Sequence, residues 1–324
     1  MENGFNFLDP FSSINLGIAD SADGIKDWAI SNRNIIQPVK DVFNSFVVAI
    51  DSALNTVPPT IMLVLIALIA WQAAGRRTAI MVAACLLALG LLDPNAWGLA
   101  MTTLAIVISA VVACLLIGLP LGILAAKIDG FEKALRPLLD LMQTIPAFVY
   151  LVPVVMLVGI GNVSGVIVTI IFALPPLIRL TSLGIRGVNA SVVEAARAFG
   201  ASPRQILFKI ELPLATPTIL AGVNQTIMLS LSMVVIASMI SVRGLGNEVL
   251  RAMGRLDAGK AIVGGLGIVI LAIVLARISQ GMGQSGRERG YRHWWQGGPV
   301  GLILRATNRT PKTPKPMNMT EESI

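Results

Sequence analysis

Glu194-Ala-Ala-Arg-Ala-Phe-Gly200, followed after nine residues by Ile210-Glu-Leu212-Pro213, forms a short polar island between two long apolar runs. The island carries charges but no grouping of acid, base and nucleophile, so the chemistry open to it is recognition. Val192, Ala195, Ala196 and Phe199 fall at helical spacing on one face. Such a face suits an apolar groove of a partner; packing against the chain's own helix ends is the alternative.

Catalytic chemistry has little to work with elsewhere. There is no GxxxxGK[ST] run, so no P-loop holds ATP. His293 is the single histidine and stands among Arg and Trp in the C-terminal tail. It leaves no Ser/His/Asp set, no Cys/His set and no metal constellation. The chain is expected to be no enzyme and to bind no cofactor of its own. Its apolar runs hold no carboxylate, whereas proton-driven transporters usually place Asp, Glu or His within the membrane. The polar residues deep in an apolar run are Asn224, Gln225, Thr226, Ser230 and Ser232. Asn224 lies about 12 residues past Leu212, or about 18 Å along a helix, near mid-membrane. These five line a translocation pathway on one reading and hydrogen-bond between helices on the other.

The elements that must position these residues are membrane spans. The 324 residues are 55% hydrophobic and 13% charged, with mean hydropathy +0.77; a soluble domain carries about 25% charged residues. Asp, Glu, Lys and Arg are absent from 52–75, 78–92, 94–126, 141–178, 212–242 and 261–276. A spanning helix needs about 20 apolar residues. Only helices and closed barrels satisfy every backbone group in lipid, and these runs lack the period-two alternation of barrel strands. The expectation is an all-α polytopic membrane protein of about seven spans. Run 141–178 supplies two of them, across a turn at Gly159-Ile-Gly-Asn-Val-Ser-Gly165. The short runs 78–92 and 261–276 rely on flanking Arg and Lys snorkelling to the interface.

Lys and Arg in short loops set orientation. Arg76 and Arg77, then Lys127, Lys133 and Arg136, then Arg179, Arg186, Arg197, Arg204 and Lys209 mark an inner side. The first 51 residues hold three basic and seven acidic groups, and the C-terminal tail is strongly basic. The N-terminus is therefore expected outside and the C-terminus in the cytoplasm; loop 243–260, with Arg243, Arg251, Arg255 and Lys260, disagrees. The net charge of +7 follows from inner loops rather than from nucleic-acid binding. Cys85 and Cys114 lie in apolar runs and read as small core residues. No basic start followed by an apolar core occurs in the first 50 residues, so no cleavable signal is expected.

Residues 24–56 place apolar groups at helical spacing, an amphipathic helix lying on the membrane surface or packed on the bundle. Pro38 should break or kink it. The organisation expected is an extracytoplasmic tail 1–56, a transmembrane domain 57–282 and a basic cytoplasmic tail 283–324 whose end, 306–324, is too polar to pack. Trp71, Trp97, Trp294 and Trp295 suit an interfacial belt. Gly118-Leu-Pro-Leu-Gly122 is a GxxxG suited to a close helix crossing, or a proline kink with two glycines.

Locally, 189–213 reads as helix, turn, helix. Ser191-Val-Val-Glu194 and Ser202-Pro203-Arg204-Gln205 are capping boxes, Gly200 suits a left-handed helix end, and the second helix should stop before Pro213. The pattern Glu194, Ala195, Ala196, Gly200, Ile210, Leu212 and Pro213 resembles the EAA loop of ABC importer permeases at every defined position. Leu139-Asp-Leu-Met-Gln-Thr-Ile-Pro-Ala-Phe-Val-Tyr-Leu-Val-Pro153, Ala173-Leu-Pro-Pro-Leu-Ile-Arg-Leu180, and Ala221-Gly-Val-Asn-Gln-Thr226 through Ala237-Ser-Met-Ile240 look like permeases of the ProU-type glycine betaine/proline betaine uptake systems. That likeness covers roughly residues 50–305 plus Leu8-Asp9-Pro10.

The resemblance implies a type I ABC importer permease fold in a bacterial inner membrane. It implies coupling helices seated in a cleft of an ATPase subunit, present in two copies, which holds the ATP and Mg. It also implies a second permease copy, forming a homodimer, and an extracytoplasmic substrate-binding protein. Quaternary ammonium groups are usually held by aromatic cages. The deep runs offer Phe148, Tyr150 and Phe172 but no interior Trp, so the high-affinity site is expected on the binding protein.

Overall fold

The computed structural model describes residues 33–283 and, outside that range, Gly24, Asp27, Ser31, Gly298 and Pro299. Leu8-Asp9-Pro10, His293, Trp294, Trp295 and the segment 306–324 lie outside the described residues. Among those described there is no strand. In order come α1 (Arg33–Thr56), α2 (Pro59–Ala74), α3 (Arg76–Leu92), α4 (Ala96–Lys127), α5 (Asp129–Thr144), a 3-10 turn (Ala147–Tyr150) and α6 (Leu151–Val158). Then follow α7 (Asn162–Arg186), α8 (Ala190–Ala198), α9 (Pro203–Ile206), a π-helical turn (Leu207–Glu211), α10 (Leu212–Ala237), α11 (Leu245–Gly254) and α12 (Ala258–Gly283).

Among the described residues, four helical runs are long and apolar enough to cross a membrane: Ala96–Lys127, Asn162–Arg186, Pro203–Ile240 and Ala258–Met282. Two bent pairs, Lys40–Thr56 with Pro59–Ala74 at 109° and Asp129–Thr144 with Ala147–Val158 at 102°, raise the number to six if each is one span. The expected count was about seven; the run not among these six is α3 (Arg76–Leu92), whose 17 residues stand at the short end for a span, and the first half of run 141–178 counts only within a bent pair. Pro146 pushes Ile145 out of helical backbone, to ψ 127. The first half of the run is therefore a 3-10 turn and an eight-residue helix, about 12 Å long. The Tyr150 hydroxyl lies 3.0 Å from the carbonyl of Met142, which Pro146 leaves without its helical donor, and 3.1 Å from that of Leu141, which also accepts from the Ile145 N–H.

Prolines act elsewhere than the sequence suggested. α1 runs unbroken through Pro38; the sharp turn falls where Pro58 and Pro59 follow Val57. α1 is packed on the bundle: Val47 is buried in the main core and Phe43 packs against it, while Val42 and Val48 remain exposed.

Two apolar cores hold the bundle. The larger joins α4, α7 and α10 through Ile106, Val107, Leu177, Ile178, Met233 and Val234. The second gathers α2, α3, α4 and α12 around Val82, Leu86, Leu89, Met101 and Leu271, with Trp97 among them. Trp97 is thus a core residue rather than part of a belt: its ring is buried against the second core. α4 crosses α7 at the GxxxG. A Cβ on Gly122 would stand 2.6 Å from Thr181 Cβ and one on Gly118 2.8 Å from Leu177 Cδ2, so close approach is the role of that motif. Both cysteines are free and Cys114 is buried. α11 closes the end of the bundle opposite Lys127, where the Leu245 N–H donates to Thr103 Oγ1 at 2.9 Å and the Arg243 N–H to Asn162 Oδ1 at 3.0 Å.

Candidate functional site

The island folds as a knuckle beyond the ends of α4, α7 and α10. Its first helix, α8, is capped by Asn189 rather than by Ser191: Asn189 Oδ1 accepts from the Ser191 N–H at 3.0 Å and from its hydroxyl at 2.9 Å. Asn189 reaches the second helical residue first, which shifts Ser191 into the helix and leaves Glu194 exposed. Glu194 has no hydrogen-bond or ion partner among the described residues. At the other end Gly200 adopts φ +79, with its N–H on Arg197 O and the Ala201 N–H on Ala196 O. That is a Schellman end, in which only glycine enters the left-handed region freely. The second capping box is present: Ser202 and Gln205 bond reciprocally, with Pro203 at the first helical position.

The chain departs from helix, turn, helix at Pro213. The helix does not stop there. α9 passes through the π turn into α10, giving one helical run from Pro203 to Ile240, 38 residues. Pro213 has no N–H and its ring collides with the carbonyl four residues back. The wider π turn relieves that conflict, with the Leu212 N–H donating five residues back to Leu207 O. Ile210, Leu212 and Pro213 therefore form the joint where the knuckle becomes the span.

The apolar face of α8 is uncovered. Phe199 is 91% exposed and Val192 42%, Ala195 is exposed and Ala196 half-buried. Among the described residues, nothing in this chain packs over Phe199, so the alternative of self-packing does not describe this face.

Ion pairs, legible in the sequence only as scattered charges, tie the knuckle to α4 and, behind it, α7 to α5. Lys127 at the end of α4 pairs with Glu211 of the π turn, whose side chain is buried. Arg186 at the end of α7 bonds Asp129 and Glu132 of α5 at 2.8 and 3.0 Å and donates to Ala125 O at 2.7 Å. Arg179 meets Asp140 at 2.6 Å. Burial of Glu211 beside the motif's Ile210 is the signal a sequence reading could have used, since an acid so placed requires a cation.

The five polar residues of α10 do not share one face. Thr226 is buried and donates to Ala173 O of α7 at 3.1 Å; Ser230, one turn on, is buried with no partner for its hydroxyl among the described residues. Asn224 accepts from Ser279 of α12 at 2.6 Å. Gln225 and Ser232 lie on an exposed stripe with Leu214, Pro217, Ala221 and Met228. The exposed side of α12 carries Ile262, Leu266, Val269 and Ile273, the composition of a lipid-facing surface. The α10 stripe has small and polar members, the composition of helix contacts or a wet path.

A family model described as the binding-protein-dependent transport system inner membrane component matches residues 118–284. The chain is 55% identical over 308 residues to the glycine betaine/proline betaine transport system permease protein ProW of Escherichia coli (strain K12), covering 93% of this chain and 85% of that protein. It is 41% identical over 274 residues to the glycine betaine transport system permease protein OpuAB of Bacillus subtilis (strain 168), covering 84% and 96%. Among solved structures, the inward-facing MetNI methionine ABC transporter aligns over 56% of this chain and 89% of that one, at 22% identity and TM-score 0.48.

Proposed function

From the premise that this chain belongs to the binding-protein-dependent transport system inner membrane components, we propose that it is the permease through which an ATP-driven importer moves glycine betaine or proline betaine. The cargo comes from the likeness to permeases named for those solutes. ATP is hydrolysed by a separate ATPase subunit, in two copies, which carries the ATP and Mg. A second copy of this permease completes a homodimer, and a separate extracytoplasmic protein supplies the cargo. The N-terminus with residues 1–56 lies outside; residues 283–324 lie in the cytoplasm, on the side of the knuckle.

The observation that carries the reading is the bare apolar face around Phe199 on a knuckle continuous with a 38-residue helical run. Glu194, Ala195, Ala196 and Gly200 form the contact with the ATPase; Ile210, Leu212 and Pro213 transmit its movement. Closure of the ATPases tilts α10 and α7 and exchanges outward for inward access. Gln225 and Ser232 face the path or the second copy, while Asn224 and Thr226 bond α10 to α12 and α7 as the path changes shape, with Ser230 buried one turn beyond Thr226.

Co-purification of the tagged chain from mild detergent, with partners identified by mass, tests this. A near-stoichiometric ATPase is expected. A chain that runs alone and still moves glycine betaine into liposomes without ATP would overturn the reading and leave a self-contained secondary transporter.

A further inference from the structure

A cavity of about 290 Å³ opens between α5 and α7 at the knuckle end, outside the coupling contact. Leu135, Leu139 and Ile178 supply apolar wall. Arg136, Asp140, Arg179 and Ser182 supply polar groups. Arg179 and Asp140 face each other at 2.6 Å, with side chains 41% and 56% exposed, so their pairing is open to exchange. Arg136 has no partner among the described residues. Ser182 lines the cavity at 5% exposure, and its hydroxyl, enclosed behind that wall, has no hydrogen-bond partner among the described residues. A buried hydroxyl left unpaired carries a desolvation penalty, which a turn of the side chain about χ1 toward a ligand carboxylate in the cavity would remove.

We propose that this cavity is a release-side binding site for a small zwitterion, its carboxylate on Arg136, Arg179 and Ser182 and its cationic end beside Asp140. The proposal rests on the betaine reading of the cargo. Charge sign selects the ligand class. A simple anion meets the carboxylates of Asp140 and Glu132; a simple cation meets Arg136, Arg179 and Arg186. A zwitterion alone finds a counter-charge at each end. The volume sits just under the about 300–1,000 Å³ of pockets for drug-sized ligands, which suits a smaller solute.

The site is built to bind weakly, as a release site must. Cargo gains Arg179 and Asp140 only by parting a pair already made, so most of the attraction is exchanged rather than added. Position links it to coupling. Arg179 lies two turns, about 10 Å, above Arg186 on α7, and α7 leads through Gly187, Val188 and Asn189 into the knuckle. The absence of an aromatic cage fits a site that passes cargo on.

The test places Ser182→Cys in the full complex with Cys85→Ser and Cys114→Ala, and measures its rate of modification by a small thiol reagent. Glycine betaine, choline and inorganic phosphate serve as zwitterionic, cationic and anionic probes. Millimolar glycine betaine is expected to slow modification about threefold or more, with choline and phosphate far weaker. Adding Arg179→Gln or Arg136→Gln should remove the protection. Protection by phosphate equal to or greater than that by glycine betaine would instead mark an anion or lipid-headgroup site and overturn the proposal, as would no protection at all. Leu183→Cys, at the exposed mouth of the cavity, is the second reporter should Ser182→Cys not assemble or not react with the reagent in the absence of ligand. Uptake of labelled glycine betaine by the parent complex is measured alongside. Uptake without protection sinks this site alone; absence of uptake sinks the cargo reading and the site with it.

Discussion

Phe199→Ala separates docking from folding, because the ring contributes to one and not the other. At 91% exposure it has almost no contacts to lose in the isolated permease, so permease stability should stay within about 0.5 kcal/mol. Seated in an apolar groove, a phenylalanine contributes about 1.5–3 kcal/mol. At about 1.4 kcal/mol per tenfold, the ATPase should bind the variant about 10- to 150-fold more weakly. The assay titrates purified ATPase against the permease in lipid nanodiscs and records the melting midpoint of the permease alone. Val192→Ala, at an exposure of 42% on the same face, should weaken binding less. Affinity within twofold of the parent would refute the docking role. A drop of several degrees in the midpoint with unchanged affinity would refute the reasoning more deeply, since it would mean that the ring packs on its own chain.

Gly200→Asp should abolish uptake while the protein remains in the membrane. An added Cβ meets no atom within 4 Å and Asp tolerates the left-handed region, so the loss would come from charge placed at the docked face; Gly200→Asn, uncharged and alike in shape, should keep most uptake. If both fail equally, the effect is backbone strain. Lys127→Met strands the buried Glu211 carboxylate and should destabilise by about 1–3 kcal/mol, below the about 3–5 of a fully buried pair because Lys127 is partly solvated. Glu211→Gln should be milder, and a reversed order of melting midpoints would contradict that account. Gly122→Ala must push α4 from Thr181 and the Ile178 carbonyl, at 2.6 and 3.0 Å, and should lower stability by about 1–3 kcal/mol. An unchanged midpoint would show that the crossing yields.

Much of this architecture was legible because hydrophobic runs and small-residue spacings act locally. The GxxxG at Gly118 and Gly122, the glycine at the end of α8 and the Ser202–Gln205 box each express a constraint within a few residues. What escaped depends on contacts far apart in sequence. Asn189 took the cap from Ser191 by accepting the N–H of Ser191 itself, a competition between neighbours that both qualify. Trp97 looked interfacial by position, yet packing with Leu86 and Leu89 draws it inward. The pairs Lys127–Glu211 and Arg179–Asp140 join residues 84 and 39 positions apart, and no local pattern announces them. Prolines misled in both directions, since their effect depends on whether the helix can widen or must break.

That last dependence gives the knuckle its mechanical character. Pro213 ought to end a helix; by forcing a π turn instead it lets α9 and α10 remain one lever while taking up an extra residue. The two connections of the knuckle then differ. Gly187 and Val188 make a short joint to α7, whose end is pinned by Arg186, whereas the other side is continuous helix. Rotation of the knuckle should therefore pass chiefly into α10, pivoting where Glu211 meets Lys127. An alanine inserted between Phe208 and Lys209 would turn the knuckle by about 100° relative to the span. It should eliminate uptake even though no motif residue changes. Inserting the same alanine between Gly187 and Val188, in the joint, should be tolerated better. Equal uptake by the two insertions, measured at matched amounts in the membrane, would show that the π turn is slack and that the lever is not rigid.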